Sequence, residues 1–131
     1  MKINYVFEYT KRNPNVDKRK QECQHILNQF PEKIPIICEK DPKCKNLKEI
    51  GKTKFLVSND LSVAQFYFMV RKNLNVEEER SSFYLLANGK YALYGDFLMS
   101  NIYQKYKNPE DGFLYILYTS TLIWGNDNKN K

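Results

Sequence analysis

At 131 residues the chain is long enough to close one hydrophobic core within a single domain. Its apolar fraction of 42% and aromatic fraction of 15% exclude general disorder, and no apolar run reaches the roughly 18–20 residues of a membrane span. The formal net charge of +6 serves solubility and admits an acidic peptide, an anionic membrane surface or nucleic acid as a partner.

The N-terminal stretch from Met1 to Glu8 has no apolar signal core and predicts no secretion. Lys11 to Asn15 reads as a turn around Pro14. Asp17 is the expected N-cap of a helix running to about Phe30, closed by Pro31. Cys23, Ile26, Leu27 and Phe30 recur at helical spacing as its buried face, leaving Lys18, Arg19, Lys20 and Gln21 to water. Lys33 to Lys40 reads as a strand with Ile34, Ile36 and Cys38 on one face and Pro35, Ile37 and Glu39 on the other. Pro35 argues for an edge or exposed position. After a loop from Asp41 to Gly51, Lys54 to Ser58 is a second strand, antiparallel to the first if the loop makes a hairpin. Both strands carry apolar residues on both faces, the pattern of a sheet covered on two sides.

Ser62 and Gln65 form a capping-box signature opening a helix to about Leu74, with Val63, Phe66, Val70 and Leu74 as its core stripe. Ser82 to Ala87 is a strand, and Asn88-Gly89 a hairpin turn. Asp96 is the expected cap of a short helix from Phe97 to about Tyr106, and Phe113 to Thr119 is the last long strand. A hairpin, a helix across the sheet and then further strands is the β-grasp order, an α+β fold. The last strand would lie centrally beside the first, and the N-terminal helix would cover the sheet's other face.

The chemistry-bearing residues are sparse. Cys23, Cys38 and Cys44 lack zinc-ligand spacing. The one histidine, His25, stands two residues from Cys23, a separation that points side chains apart on a helix. A Cys–His enzyme or a hydrolase is therefore disfavoured. Lysines spread along the whole chain and aromatics at core periodicities argue against a nucleic-acid-binding stripe. At the C-terminus Trp124-Gly125 precedes the apolar-free Asn126 to Lys131. A polar terminus is the commoner origin of such a tail. A processing junction is the alternative, because cleavage after Gly125 would leave a carboxylate on a residue without Cβ, able to thread a narrow active site.

Several segments together resemble one family, the ubiquitin-like modifiers of autophagy of the GABARAP and microtubule-associated light-chain-3 type. They are Lys18-Arg19, Pro31 to Lys40, Lys54 to Val57, Asp60 to Lys72, Met99 to Tyr103, and Asp111 to Tyr115 continuing through Tyr118 to Gly125. The resemblance is colinear over about residues 16–125. Departures are the missing aromatic before Lys18, Lys90 to Asp96 in place of a Pro-Pro segment, Ser58 for a common Pro, and Trp124 where the family has Phe or Tyr.

The resemblance implies a ubiquitin-like β-grasp with an N-terminal helical extension, one domain over residues 1–125 and a tail 126–131 removed by proteolysis. It implies a substrate of a conjugation cascade rather than an enzyme, with no catalytic, cofactor or metal residues. A cysteine protease would recognise Trp124 and Gly125. Activating and conjugating enzymes would then carry Gly125, the lipid-conjugation site, to phosphatidylethanolamine. Cytoplasmic chains would move to autophagosomal and related vesicle membranes on lipidation. The family also binds cargo receptors and adaptors bearing an aromatic-x-x-aliphatic motif in acidic surroundings, which add as a strand to a sheet edge. By resemblance the aromatic pocket maps to Glu22, Ile26, Pro35, Ile37, Lys54, Leu56 and Phe113, and the aliphatic pocket to Phe55, Val57, Leu61, Phe66, Met69 and Val70. Lys54 and Arg71 would meet the acidic flanks. Without the resemblance, Ile26, Ile37, Leu56 and Phe66 read equally as plain core. Membrane and tubulin are the family partners of the N-terminal extension.

Overall fold

The computed structural model describes residues 5–45, 47–74 and 82–120. Along the chain run α1 (Glu8–Arg12), α2 (Val16–Gln29), β1 (Lys33–Lys40), β2 (Lys54–Ser58), α3 (Val63–Leu74), β3 (Phe83–Ala87), β4 (Tyr91–Leu93), α4 (Met99–Tyr106) and β5 (Leu114–Ser120). The strands form one sheet in the order β2-β1-β5-β3-β4, with β1 and β5 parallel and every other pair antiparallel. The β-grasp order is thus realised, with β5 central beside β1.

Two cores lie on the two faces of the sheet. Ile34, Ile36, Cys38, Leu114, Ile116 and Tyr118 project towards α3 and α4, where Val63, Phe66, Val70 and Leu74 of α3 meet them. Ile37, Leu86, Phe113, Tyr115 and Leu117 project the other way, under Phe7, Tyr9 and Cys23 of the N-terminal segment. A central strand with a helical layer on each face has no solvated side, which is why β5 is buried at every residue. At the sheet's margin the pattern relaxes. Phe55 and Val57 of β2 are buried, whereas Lys54 and Leu56 are exposed, so the expectation of two covered faces fails for this strand.

Local chemistry explains several boundaries. The Ser62 hydroxyl accepts from the Gln65 N–H at 3.1 Å while the Gln65 side-chain oxygen accepts from the Ser62 N–H at 2.8 Å, a closed capping box at α3. Asn88 and Gly89 take φ values of 57° and 72°, left-handed as a tight hairpin requires.

Elsewhere the structure corrects the sequence reading. Asn15, rather than Asp17, caps α2, its side chain accepting from the Lys18 N–H at 3.1 Å. Phe30 lies past the helix end and is 44% exposed. Lys11 and Arg12 belong to α1 rather than to a turn. Its N-cap residue, Phe7, supplies no capping side chain; instead the buried Glu39 carboxylate on β1 accepts from the Glu8 and Tyr9 N–H groups at 2.7 and 2.9 Å. Asp96 does not cap α4. The helix begins at Met99, whose N–H donates to the Leu61 carbonyl at 2.7 Å, and Ser100 donates to Asn59 at 3.3 Å. Pro35 sits in an interior strand. Cys38 N–H donates to the Thr53 carbonyl, so alternation turns the Pro35 nitrogen towards β5, one residue before that ladder begins at Ile36. No ladder bond is lost, and an interior Pro is tolerated there.

Arg19 is the largest departure. Expected in water, it is 6% exposed, and its Nε donates to Asp111 Oδ2 at 2.8 Å while Nη1 donates to the Asn13 carbonyl at 2.7 Å. Asp111 also accepts from the Tyr115 hydroxyl at 2.6 Å and the Phe113 N–H at 2.9 Å. Burial alone would lower the Arg19 pKa, but the Asp111 hydrogen bond and charge raise it. This network fastens α2 to the start of β5.

Candidate functional site: the β2 edge

Among the described residues β2 ends the sheet, with no strand on its side away from β1. The Cys38–Thr53 bond fixes which backbone groups are used: Phe55 and Val57 point theirs to β1, and Lys54 and Leu56 point theirs outward. Two rungs with free donors and acceptors are a template for one added strand.

Beside this edge lies an apolar hollow lined by Ile26, Pro35, Ile36, Lys54, Phe55, Leu56 and Phe113. The structure therefore brings together Ile26, Pro35, Lys54, Leu56 and Phe113 of the expected aromatic pocket. Glu22 stands at its rim, paired with Lys54. Ile37 does not line it; its side chain is fully buried in the core beneath. Each wall has a structural reason. Ile26 comes from the α2 face above the sheet, Leu56 from the open face of β2, and Phe113 from the turn before β5. That turn passes through Gly112 at φ +88°, where an added Cβ would stand 3.0 Å from Cys23 Sγ. Only Gly combines this backbone with so close a helix.

The rim is polar and preset. The Tyr9 hydroxyl donates to Glu22 Oε1 at 2.5 Å, Glu22 binds the Lys54 ammonium, and that ammonium lies 5.1 Å from the centre of the Tyr9 ring. Burial would raise the Glu22 pKa, yet the hydrogen bonds from Lys54 and Tyr9 hold it below the usual carboxylate range. Burial, then the Glu22 hydrogen bond, pushes the Tyr9 phenol well up, keeping it a donor. Lys52 adds a second cation at this edge, 4.7 Å over the Phe55 ring. Tyr9 and Lys52 escaped the sequence reading. Tyr9 reaches the rim only because Glu39 fixes α1 over the sheet, a contact no local spacing encodes.

The expected aliphatic-pocket residues converge between β2 and α3 but are mostly interior. Phe55, Val57, Phe66 and Val70 are buried, with Phe55 edge-on to Phe66 at 5.8 Å. Leu61 and Met69 are half-buried and form the accessible part. Arg71 is half-buried on α3. Trp124 and Gly125 lie outside the described residues.

Two of the thiols, Cys23 and Cys38, are shifted away from nucleophilic character. Burial, with the Asp111 and Glu22 charges, pushes Cys23 up to about 11, and burial raises Cys38 as well. A reactive thiol needs the opposite shift. His25 is exposed on α2 while Cys23 is buried. Among the described residues no helix is long and apolar enough to cross a membrane.

The family model described as autophagy protein Atg8, ubiquitin like, matches residues 18–125. The chain is 38% identical over 111 residues to autophagy-related protein 8 of Kluyveromyces lactis, covering 85% of this chain and 86% of that one. It is 39% identical over 109 residues to autophagy-related protein 8 of Schizosaccharomyces pombe, covering 83% and 87%. Against autophagy-related protein 8 of Mycosarcoma maydis it is 36% identical over 115 residues, covering 88% and 94%. A ubiquitin-like sheet, an N-terminal helical layer and a match across most of the length place this chain in the Atg8 family of ubiquitin-like autophagy proteins.

Proposed function

We propose that this Atg8-family chain is a lipid-conjugated modifier that recruits cargo receptors through its β2 edge. A cysteine protease removes residues 126–131 after Trp124-Gly125, leaving residues 1–125 as the working domain. The Gly125 carboxylate is adenylated by an activating enzyme, passed as a thioester to a conjugating enzyme, and transferred to the amine of phosphatidylethanolamine with release of the enzyme thiol. A chain held on a lipid then moves from the cytoplasm to autophagosomal and related vesicle membranes. Family membership and a Gly at the end of the matched segment support this half of the reading.

The observation that carries the recruiting half is the open edge of Lys54 and Leu56 beside the Ile26–Pro35–Phe113 hollow. An aromatic side chain fits the hollow, and an extended backbone pairs with the edge. An aliphatic side chain three residues on rests against Leu61 and Met69, where the unbranched Met adapts to its guest. Lys54 and Arg71 attract the acidic flanks, and Lys52 adds to that field. The peptide must displace or share the Glu22–Lys54 pair, so an acidic group that replaces Glu22 at Lys54 gains where a neutral one does not.

Two measurements test the halves separately. Intact mass of the protein from starved cells is expected to show a chain ending at Gly125 with a lipid, and Gly125→Ala to show neither. A Gly125→Ala protein that still loses its tail and gains lipid would refute conjugation there. An unlipidated chain ending at Lys131 would instead make it a soluble adaptor. Calorimetry with an acidic aromatic-x-x-aliphatic peptide tests the groove independently of the lipid.

A further inference from the structure

Exposed apolar side chains gather where β4 ends. Tyr94 is 72% exposed, Phe97 61% and Leu98 41%. They adjoin a hollow of about 380 Å³ between β4 and α4, walled by Leu93, Tyr94, Phe97, Ile102 and Tyr106 among others. An apolar cavity of about 150 Å³ already admits a benzene ring, so an indole fits here. Strand pairing fixes where the hollow stands. Leu93 is level with Leu85, and Phe83, two residues earlier on β3, is level with Ser120 of β5. Tyr94 and Ser120 therefore leave the sheet at the same end, with β3 between them. Two strand spacings, about 10 Å, separate β5 from β4.

We propose that this hollow seats the chain's own C-terminal segment, with Trp124 against Tyr94 and Phe97. Three features select this occupant. Its reach is sufficient: residues 121–124 extend up to roughly 13 Å at about 3.3 Å each, more than the gap from β5 to β4. Its chemistry matches. Leu122-Ile123-Trp124 is an apolar run, followed after Gly125 by the wholly polar Asn126 to Lys131, and such a run gains by burial. The Tyr94 and Phe97 rings offer faces and edges to an indole, an attraction beyond the area covered. Competition favours it as well. A segment tied to the site by four residues stands there at an effective concentration in the millimolar range, above any second copy or dilute partner. The seated segment holds the Trp124-Gly125 junction against the domain, so that a protease must first draw it off, a consequence that rests on the processing proposed above. The seat leaves the β2 edge open.

Trp124 is the one tryptophan among the 131 residues, so fluorescence of the full chain reads its surroundings directly. The expected emission is blue-shifted from that of a synthetic peptide of residues 121–131, and acrylamide quenches it several-fold less. Both hold at every concentration from about 1 to about 100 µM, below the effective concentration of a tethered segment. Phe97→Ser and Tyr94→Ser replace exposed side chains and so keep the fold; each is expected to move the emission towards that of the peptide. Phe68→Ser, at a position 68% exposed on α3, leaves it unchanged. Emission equal to the peptide's, or a blue shift that both Phe97→Ser and Tyr94→Ser leave intact, overturns the proposal. So does a shift that arises only as concentration rises, or only with phosphatidylethanolamine vesicles, which would give the hollow to a second copy or to a lipid surface. The processing protease is expected to cleave Phe97→Ser several-fold faster than wild type, and equal rates would reject the shielding of the junction. Cleavage of neither protein, with the blue shift present, would reject the processing and leave the seat standing.

Discussion

Single residues gain their roles here from partners far along the chain. Arg19 and Asp111 are 92 positions apart yet share a buried hydrogen bond. Removing one charge strands the other, so Arg19→Ala should destabilise the domain by about 3–5 kcal/mol in denaturant unfolding; a loss typical of a surface lysine would contradict the burial. Leu56 works differently. It is 38% exposed, so Leu56→Ala should barely move stability but weaken peptide binding by roughly 1–3 kcal/mol in calorimetry. Phe55, by contrast, is interior, and its truncation would confound binding with folding. Glu22 supplies a pH signature. Its folded pKa lies below the unfolded value, so its contribution is present above the unfolded pKa and lost as pH falls through the folded one. The stability advantage of wild type over Glu22→Gln should hold above the ordinary glutamate pKa and fade as pH falls through the lowered folded one, modestly because the pair is partly solvated.

At the scale of elements, what was legible depended on where each helix finds its cap. α3 carries its own, Ser62 with Gln65, and was readable because donor and acceptor stand three residues apart. Ser62→Ala should cost about 1 kcal/mol in thermal or chemical unfolding. α1 and α4 were unreadable or misplaced because their caps are borrowed, from the Glu39 carboxylate and from the carbonyls of Asn59 and Leu61. Glu39→Ala should therefore release α1 selectively. Amides of residues 8–12 should exchange roughly tenfold faster or more while those of β1 and β5 keep their protection. Pro35 misled for a related reason: a proline says that an N–H is missing, not which neighbour would have used it.

In the whole molecule, one β-grasp sheet ends, among the described residues, in two edge strands with separate surroundings, β2 beside Ile26 and Phe113 and β4 beside α4. The groove residues run from Glu22 to Phe113, so a chain ending at Gly125 should bind the acidic peptide as tightly as the full 131 residues, which calorimetry on the two forms would check. The sequence by itself determined the element order from α2 onward, the α3 core stripe, the central last strand and the family, because hydrophobic period, turn chemistry and colinear motifs are local or ordered along the chain. Only the tertiary structure decided that Arg19 is interior, that Ile37 is core rather than pocket wall, that Tyr9 guards the rim and that Tyr94 and Ser120 leave the sheet at one end. Those facts depend on which strands become neighbours and which way alternate backbone groups point. Both are set by pairing between segments distant in sequence, and no spacing within one segment records them.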